Sequence, residues 1–220
     1  MKNLYNALQL KQLYRLKSLG FRYTDIKPFS FEDITLLELP NTLIELKKRL
    51  NSCHLCPLSK SRDHTVFGEG NSNAKVMFVG DYPMDIENNQ GRPFLGRTGE
   101  MLTLMIEKVL DLSREDVYIT NILKCHLPST QELHNSYIHS CKIYLFKEIE
   151  IIKPKVVVTL GEIAYHYINN EDSKLKDIRG NIIEKSGYKL IPTYHPNFLL
   201  KNPSFKKEVF MDLKKVKSLL

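Results

Sequence analysis

Four cysteines, one carboxylate, one carboxamide and one histidine stand where this sequence can do chemistry. Cys53 and Cys56 form a C-x-x-C pair, and Cys125 and Cys141 follow far downstream. In a reducing cytoplasm such thiols do not pair as disulfides, and four of them suit a metal ion or an iron–sulfur cluster. Zinc also takes four thiolates, so the residue types alone leave the metal open. Asp81 leaves the apolar run Val76 to Val79 through Gly80, in the stretch VMFVGDYPMDIENNQGRPFLG, and Phe94 lies further along the same loop. Asn121 ends the run Val117 to Thr120, and His195–Pro196 ends the run Leu190 to Tyr194. Each has an ordinary reading by itself: Asp and Pro are common turn residues, Asn caps turns, and a loop histidine donates to carbonyls.

The elements that must position them give these residues more weight. Val76 to Val79, Val117 to Thr120, Lys155 to Leu160 and Leu190 to Tyr194 read as strands, the last placed at an edge by Pro192. Between them, helical spacing runs over Glu100 to Leu110. A long helix ends before Pro154, its start marked by a Ser129–Glu132 capping box. A further helix opens at Gly161, and a last one, starting at Asn202–Pro203, buries Phe205, Val209, Leu213 and Val216. Residues 171 to 187 read as a loop or an edge hairpin. Strand–helix alternation of this kind predicts an α/β fold, a three-layer α/β/α sandwich around a four-stranded, mainly parallel sheet. In such a sheet the strand ends share one edge, where ligand crevices form. Asp81, Asn121 and His195 can therefore meet in one cleft, with Gly161 following the third strand.

Upstream, residues 3 to 19 space their leucines as a short amphipathic helix closed by Gly20. Residues 21 to 40 read as a linker, and Asn41 opens a second helix through Leu50. We divide the chain into an N-terminal helical extension, 1 to 52, and a main domain, 53 to 220. The loop from Cys53 to Gly70 is too polar to hold itself and needs a tether, which metal ligation would supply. The 220 residues suffice for one sizeable core, and 42% hydrophobic with 26% charged residues is an ordinary composition for a water-soluble chain. No apolar run has the length of a membrane span, and the N-terminus has no signal-peptide h-region, so the expectation is a cytoplasmic protein. A formal charge of +7 favours a polyanionic partner, although much of the excess sits in C-terminal lysines.

The ordered motifs point further. C-x-x-C at 53, F-G-E-G-N at 67 to 71, V-G-D-Y-P at 79 to 83 and G-R-P-F-L-G at 91 to 96 occur in that order. Y-I-T-N-I-L-K-C at 118 to 125, K-P-K-V-V-V-T-L-G at 153 to 161 and Y-H-P-N-F-L-L at 194 to 200 complete the set. Over three-quarters of its length, from Cys53 to about Leu219, the chain resembles the family 4 uracil-DNA glycosylases, the iron–sulfur branch of their superfamily. The resemblance implies a DNA-repair hydrolase that removes uracil from uracil-containing DNA and leaves an abasic site. It implies a [4Fe–4S] cluster on Cys53, Cys56, Cys125 and Cys141, structural in role. It places the first catalytic motif on Gly80, Asp81 and Tyr82, the uracil-stacking ring on Phe94, the base-reading amide on Asn121 and the second catalytic motif on His195–Pro196. Pro196, Asn197, Leu199, Leu200 and Lys201 become the DNA-contacting segment, with the leucine pair as a wedge that fills the vacated stack. Lys206, Lys207, Arg92 and Arg97 are further candidates for phosphate contact. The expected state is a monomer with no membrane association.

The residue types suit that chemistry. A carboxamide offers an acceptor and donors that match the N3–H and O4 edge of uracil and mismatch cytosine. A histidine donor near O2 stabilises the departing uracil anion, and a carboxylate orients water or steadies the cationic sugar. The chain departs from the family at Asp81, where Glu is usual and one methylene, about 1.5 Å of reach, is missing. It departs again at Met84, where glycine is usual, at Asn88, where an acid is usual, and in its N-terminal extension. Two rival expectations follow: a shifted base preference, such as hypoxanthine, and a non-catalytic module with the N-terminal helices as a protein-partner surface.

Overall fold

The apolar runs form the inner strands of one sheet. A computed structural model describes residues 39–220 and, before them, Lys11 alone. The chain divides into two units, Met1–Glu38 and Leu39–Leu220. The helix expected over residues 3 to 19, apart from Lys11, and the linker from 21 up to Glu38 lie outside the described residues.

Among the described residues the sheet has six strands: β1 (Glu69–Gly70), β2 (Val76–Gly80), β3 (Tyr118–Asn121), β4 (Val156–Leu160), β5 (Ile183–Lys185) and β6 (Tyr188–Thr193). Their order is β1-β3-β2-β4-β6-β5. The four inner strands run parallel, and β1 and β5 join antiparallel at the two edges. The expected four-strand sheet is thus the core of a mixed six-strand sheet. The two added strands hold two and three residues, too few to show a period of two in sequence. The hairpin alternative for residues 171 to 187 is the observed one, since β5 pairs with β6 through Gly187. Pro192 does not mark an edge strand, because β6 lies between β4 and β5. It is tolerated because β5 reaches only to Leu190.

Inner strands are buried on both faces and read as continuous apolar runs for that reason. Alternate residues serve opposite cores: Met77, Val79 and Val157 on one side, Val76, Phe78, Val156 and Val158 on the other. The first core is closed by helices α4 (Asn135–Ile152) and α5 (Glu162–Asn169), the second by α3 (Gly96–Met105) and α8 (Lys206–Lys217). The short helices α2 (Asp85–Gln90), α6 (Leu175–Ile178) and α7 (Pro196–Lys201) lie in the connections.

Helix α1 (Leu43–Asn51) is capped by Thr42 and buries Leu46 and Leu50 with Phe67 and Tyr144, so it packs onto the main unit. Helix α4 starts later than its sequence suggests. His134, not Ser129, is its N-cap, and it stops at Lys153 in the left-handed region just ahead of Pro154. The H-P pair opens α7, and only then, after a 3-10 turn at Pro203–Phe205, does the last helix begin.

A buried polar network braces the end of β3. Lys124 and Glu148, both fully buried, pair at 2.6 Å, and Glu148 also accepts from the hydroxyls of Tyr118 and Thr120. A second brace ties β6 to α8, where Asp212 accepts from the Thr193 hydroxyl at 2.8 Å and from Arg179 at 2.8 and 3.1 Å.

Candidate active site

The C-terminal ends of β2, β3 and β6 open onto a cavity of about 320 Å³, at the small end for ligand pockets. Gly80 and Asn121, the last residues of β2 and β3, face each other in register. A Cβ on Gly80 would come within 2.5 Å of both the Asn121 Oδ1 and the Phe94 ring. Glycine there is what lets the amide and the ring close on the same spot. Asn121 is 2% exposed, and its Nδ2 has no hydrogen-bond partner among the described residues. A buried donor left unpaired costs about 1–3 kcal/mol, which a ligand carbonyl would relieve. Phe94 is 3% exposed and holds φ at 52°, in the left-handed region.

His195 caps α7, and its ring centroid lies 5.6 Å from that of Phe94 at 32°. Its Nδ1 accepts the Asn197 backbone N–H at 3.1 Å, which leaves the ring proton on Nε2. Burial pushes its pKa down to about 4, so the ring is neutral at pH 7. Asp81 Oδ1 accepts the Ala164 N–H at 2.9 Å, at the first turn of α5. Burial pushes its carboxyl up to about 7, against the pull of that amide. Gly161, at φ 101°, fits between the two, since its Cβ would sit 3.4 Å from Asp81 Oδ2 and 3.5 Å from His195 Cβ. Asp81 and His195 also line a wider groove of about 860 Å³ with Tyr194, His166 and Lys174. They form the wall between cavity and groove.

The four cysteines gather on a lobe beside this site. Cys53 and Cys56 follow α1, Cys125 follows β3, and Cys141 projects from α4. Cys56 and Cys125 each feel the charge of other thiols in the set, as does Cys141, whose pKa burial pushes up to about 12. Arg62 Nη1 donates to Cys125 Sγ, and the Lys124 N–H to Cys141 Sγ, both at 3.3 Å. Among the described residues no three His, Cys, Asp or Glu side chains draw close enough to hold a single metal ion. The lobe grips the loop that carries the cavity. Asn88 exchanges hydrogen bonds with Asp63 at 2.6 and 3.0 Å, and the His126 ring bridges the Pro83 carbonyl at 2.9 Å and the Asp85 carboxylate at 3.0 Å.

Residues 67–214 match the family model described as Uracil DNA glycosylase superfamily. The type-4 uracil-DNA glycosylase of Saccharolobus solfataricus is 39% identical over 78% of this chain and 83% of its own length. Its namesakes from Sulfurisphaera tokodaii and Thermotoga maritima are 38% and 37% identical, over 81% and 80% of this chain and 85% and 93% of theirs. The chain belongs to the type-4 branch of the uracil-DNA glycosylase superfamily.

In this glycosylase-family chain the structure brings together Gly80, Asp81, Phe94, Asn121 and His195, with Tyr82, Met84 and Asn197 on the same cavity wall. It treats the residues after the H-P pair unequally. Pro196 is buried as the first residue of α7, and Leu199, 1% exposed, belongs to the core. Leu200 is half-buried, and Lys201 lines the cavity mouth. Phe198, 36% exposed, reaches the mouth instead and stacks on Tyr194 at 4.9 Å. Its place one residue from the leucine pair was the only signal for it in sequence. Arg92 pairs with Glu69 at 2.9 Å. Glu87, a buried carboxylate on the cavity wall, was also missed, because its partners are backbone amides that no side-chain motif announces.

Among the described residues no helix is long and apolar enough to cross a membrane.

Proposed function

We propose that the protein hydrolyses the N-glycosidic bond of uracil in DNA and leaves an abasic site. The observation that carries this reading is the unpartnered Asn121 Nδ2, buried at the strand edge beside the Phe94 ring. A base extruded from the helix would stack on Phe94. Asn121 would donate Nδ2–H to uracil O4 and accept N3–H on Oδ1, whereas cytosine would leave both groups mismatched. His195 Nε2–H would donate to uracil O2 as negative charge builds there, and a neutral ring does so without first gaining a proton. Asp81 in its carboxylate form would orient water toward C1′ or steady the cationic sugar. Leu200 and Phe198 supply apolar surface for the gap in the stack, and Lys201 a phosphate contact.

We assign Cys53, Cys56, Cys125 and Cys141 as ligands of a [4Fe–4S] cluster. The fit rests on the chemistry of the donor set, four thiols near enough to feel one another's charge, two of which accept hydrogen bonds from Arg62 and from the Lys124 amide. When bound, the cluster supplies a cross-link that draws the protons from these thiols and pins the lobe to the cavity loop. The Met84 side chain, standing at the cavity wall where the family's glycine is expected, favours a second reading in which base preference is shifted.

Single-turnover excision from uracil and hypoxanthine oligonucleotides tests both. Uracil release is expected, and His195→Ala should slow it by about 10²–10³, the usual cost of one lost oxyanion donor. Release of hypoxanthine but not uracil would support the shifted preference. Release of neither from cluster-loaded protein would sink both readings.

A further inference from the structure

We infer that Glu87 and Arg114 are positioning residues that preset the Phe94 ring as the platform for the extruded base; the inference rests on the glycosylase reading above. A bulky residue at φ 52° is strained, and such strain persists only where the surroundings hold it. Two charged side chains supply that hold from opposite sides of one peptide segment. On the amide side, the Glu87 carboxylate is 3% exposed and has a backbone donor on each oxygen: Met84 N–H to Oε2 at 2.7 Å and Leu95 N–H to Oε1 at 3.1 Å. The Phe94 amide contributes to the same carboxylate. It therefore staples the two ends of the loop that frames the cavity. On the carbonyl side, Arg114 Nη2 donates to Pro93 O at 2.8 Å and Phe94 O at 3.1 Å, while Glu69 holds the guanidinium at 3.0 Å. Gly99 completes the clamp, since a Cβ there would land on the Phe94 carbonyl.

A glycine or asparagine at position 94 would adopt this backbone at little cost, but neither offers a broad ring. A buried carboxylate is itself costly, and desolvation pushes the pKa of Glu87 up. Both costs are explained if the clamp serves the ring. Glu87 lines the cavity yet has both oxygens engaged by backbone, so it acts through Phe94 rather than on the base.

Glu87→Gln leaves one acceptor oxygen for two or more amides and turns an NH₂ toward the other. Free uracil affinity, measured by inhibition of single-turnover excision, should weaken about tenfold, as part of a base–aromatic stack is lost. The maximal excision rate should fall with it, Glu87→Asp should recover part of both, and binding of an undamaged oligonucleotide should not change. A merely structural role would lower the folded fraction without moving uracil affinity, so wild-type uracil affinity and rate in folded Glu87→Gln overturn the inference. If that variant does not fold, Arg114→Gln opens the carbonyl side and carries the same test. The chain has no tryptophan, so Phe94→Trp gives a lone tryptophan at the site, which red-edge excitation reads apart from the tyrosines. Adding Glu87→Gln should red-shift its emission and expose it to acrylamide quenching, and unchanged emission overturns the inference. This readout needs no uracil. Wild-type protein that neither binds nor releases uracil would count against the glycosylase reading instead.

Discussion

Asp81 and His195 are pushed by burial in opposite directions, the acid up to about 7 and the base down to about 4, and both shifts favour the uncharged form. His195 stays neutral across the working range. If the Asp81 carboxylate is the active form, excision should climb with pH to a plateau above about 7, and Asp81→Asn should flatten that limb in a single-turnover pH profile. Stability should run the other way. The folded pKa of Asp81 lies above its ordinary 3.8, so its contribution is fully present below 3.8 and is lost as pH rises through about 7. Above pH 7 the Asn variant should then be the more stable protein, by about 1–3 kcal/mol in denaturant unfolding, with the gap closing in acid. Gly80 yields a different kind of prediction. Gly80→Ala inserts a methyl between Asn121 and Phe94 and should lower uracil excision by about a hundredfold or more, with the protein still folded by circular dichroism.

At the scale of elements, the loop holding α2 is suspended between the sheet and the cysteine lobe by Asn88 and His126. If Cys141 ligates the proposed cluster, Cys141→Ser should abolish the iron–sulfur absorbance and raise amide hydrogen exchange over residues 82 to 91. Exchange confined to the lobe would uncouple it from the cavity.

What sequence reveals follows from the same distinction between local and distant partners. The four inner strands declare themselves because burial on both faces needs unbroken apolar runs. Their shared direction then brings Gly80, Asn121, Gly161 and His195 to one edge. The clamp on Phe94 is invisible because Arg114 lies 20 residues away and meets backbone oxygens, which have no residue type. The start of α4 is misread because His134 caps it, outside the usual Ser, Thr, Asp and Asn set. Leu199, expected in the wedge, is instead in the core because α7 turns it inward, and a six-residue helix is too short to show its face in sequence.

At the scale of the whole molecule, lysines and arginines that contact phosphate should make DNA affinity salt-dependent, in keeping with the charge of +7. Lys201 lines the cavity mouth, so Lys201→Gln should reduce the slope of log affinity against log salt by about 0.9 on duplex DNA, one phosphate contact. An unchanged slope would leave Lys201 a solvated surface charge. The sheet's margins have another effect on how the molecule meets its own kind. A broad parallel sheet ending in a long bare strand would offer neighbouring copies a row of open backbone groups on which to build fibrils. Here each margin is a brief antiparallel strand, two residues at β1 and three at β5, with charged Glu69, Glu184 and Lys185 along them. Such margins give a second copy almost nothing to template on, which works against edge-to-edge pairing in a crowded solution.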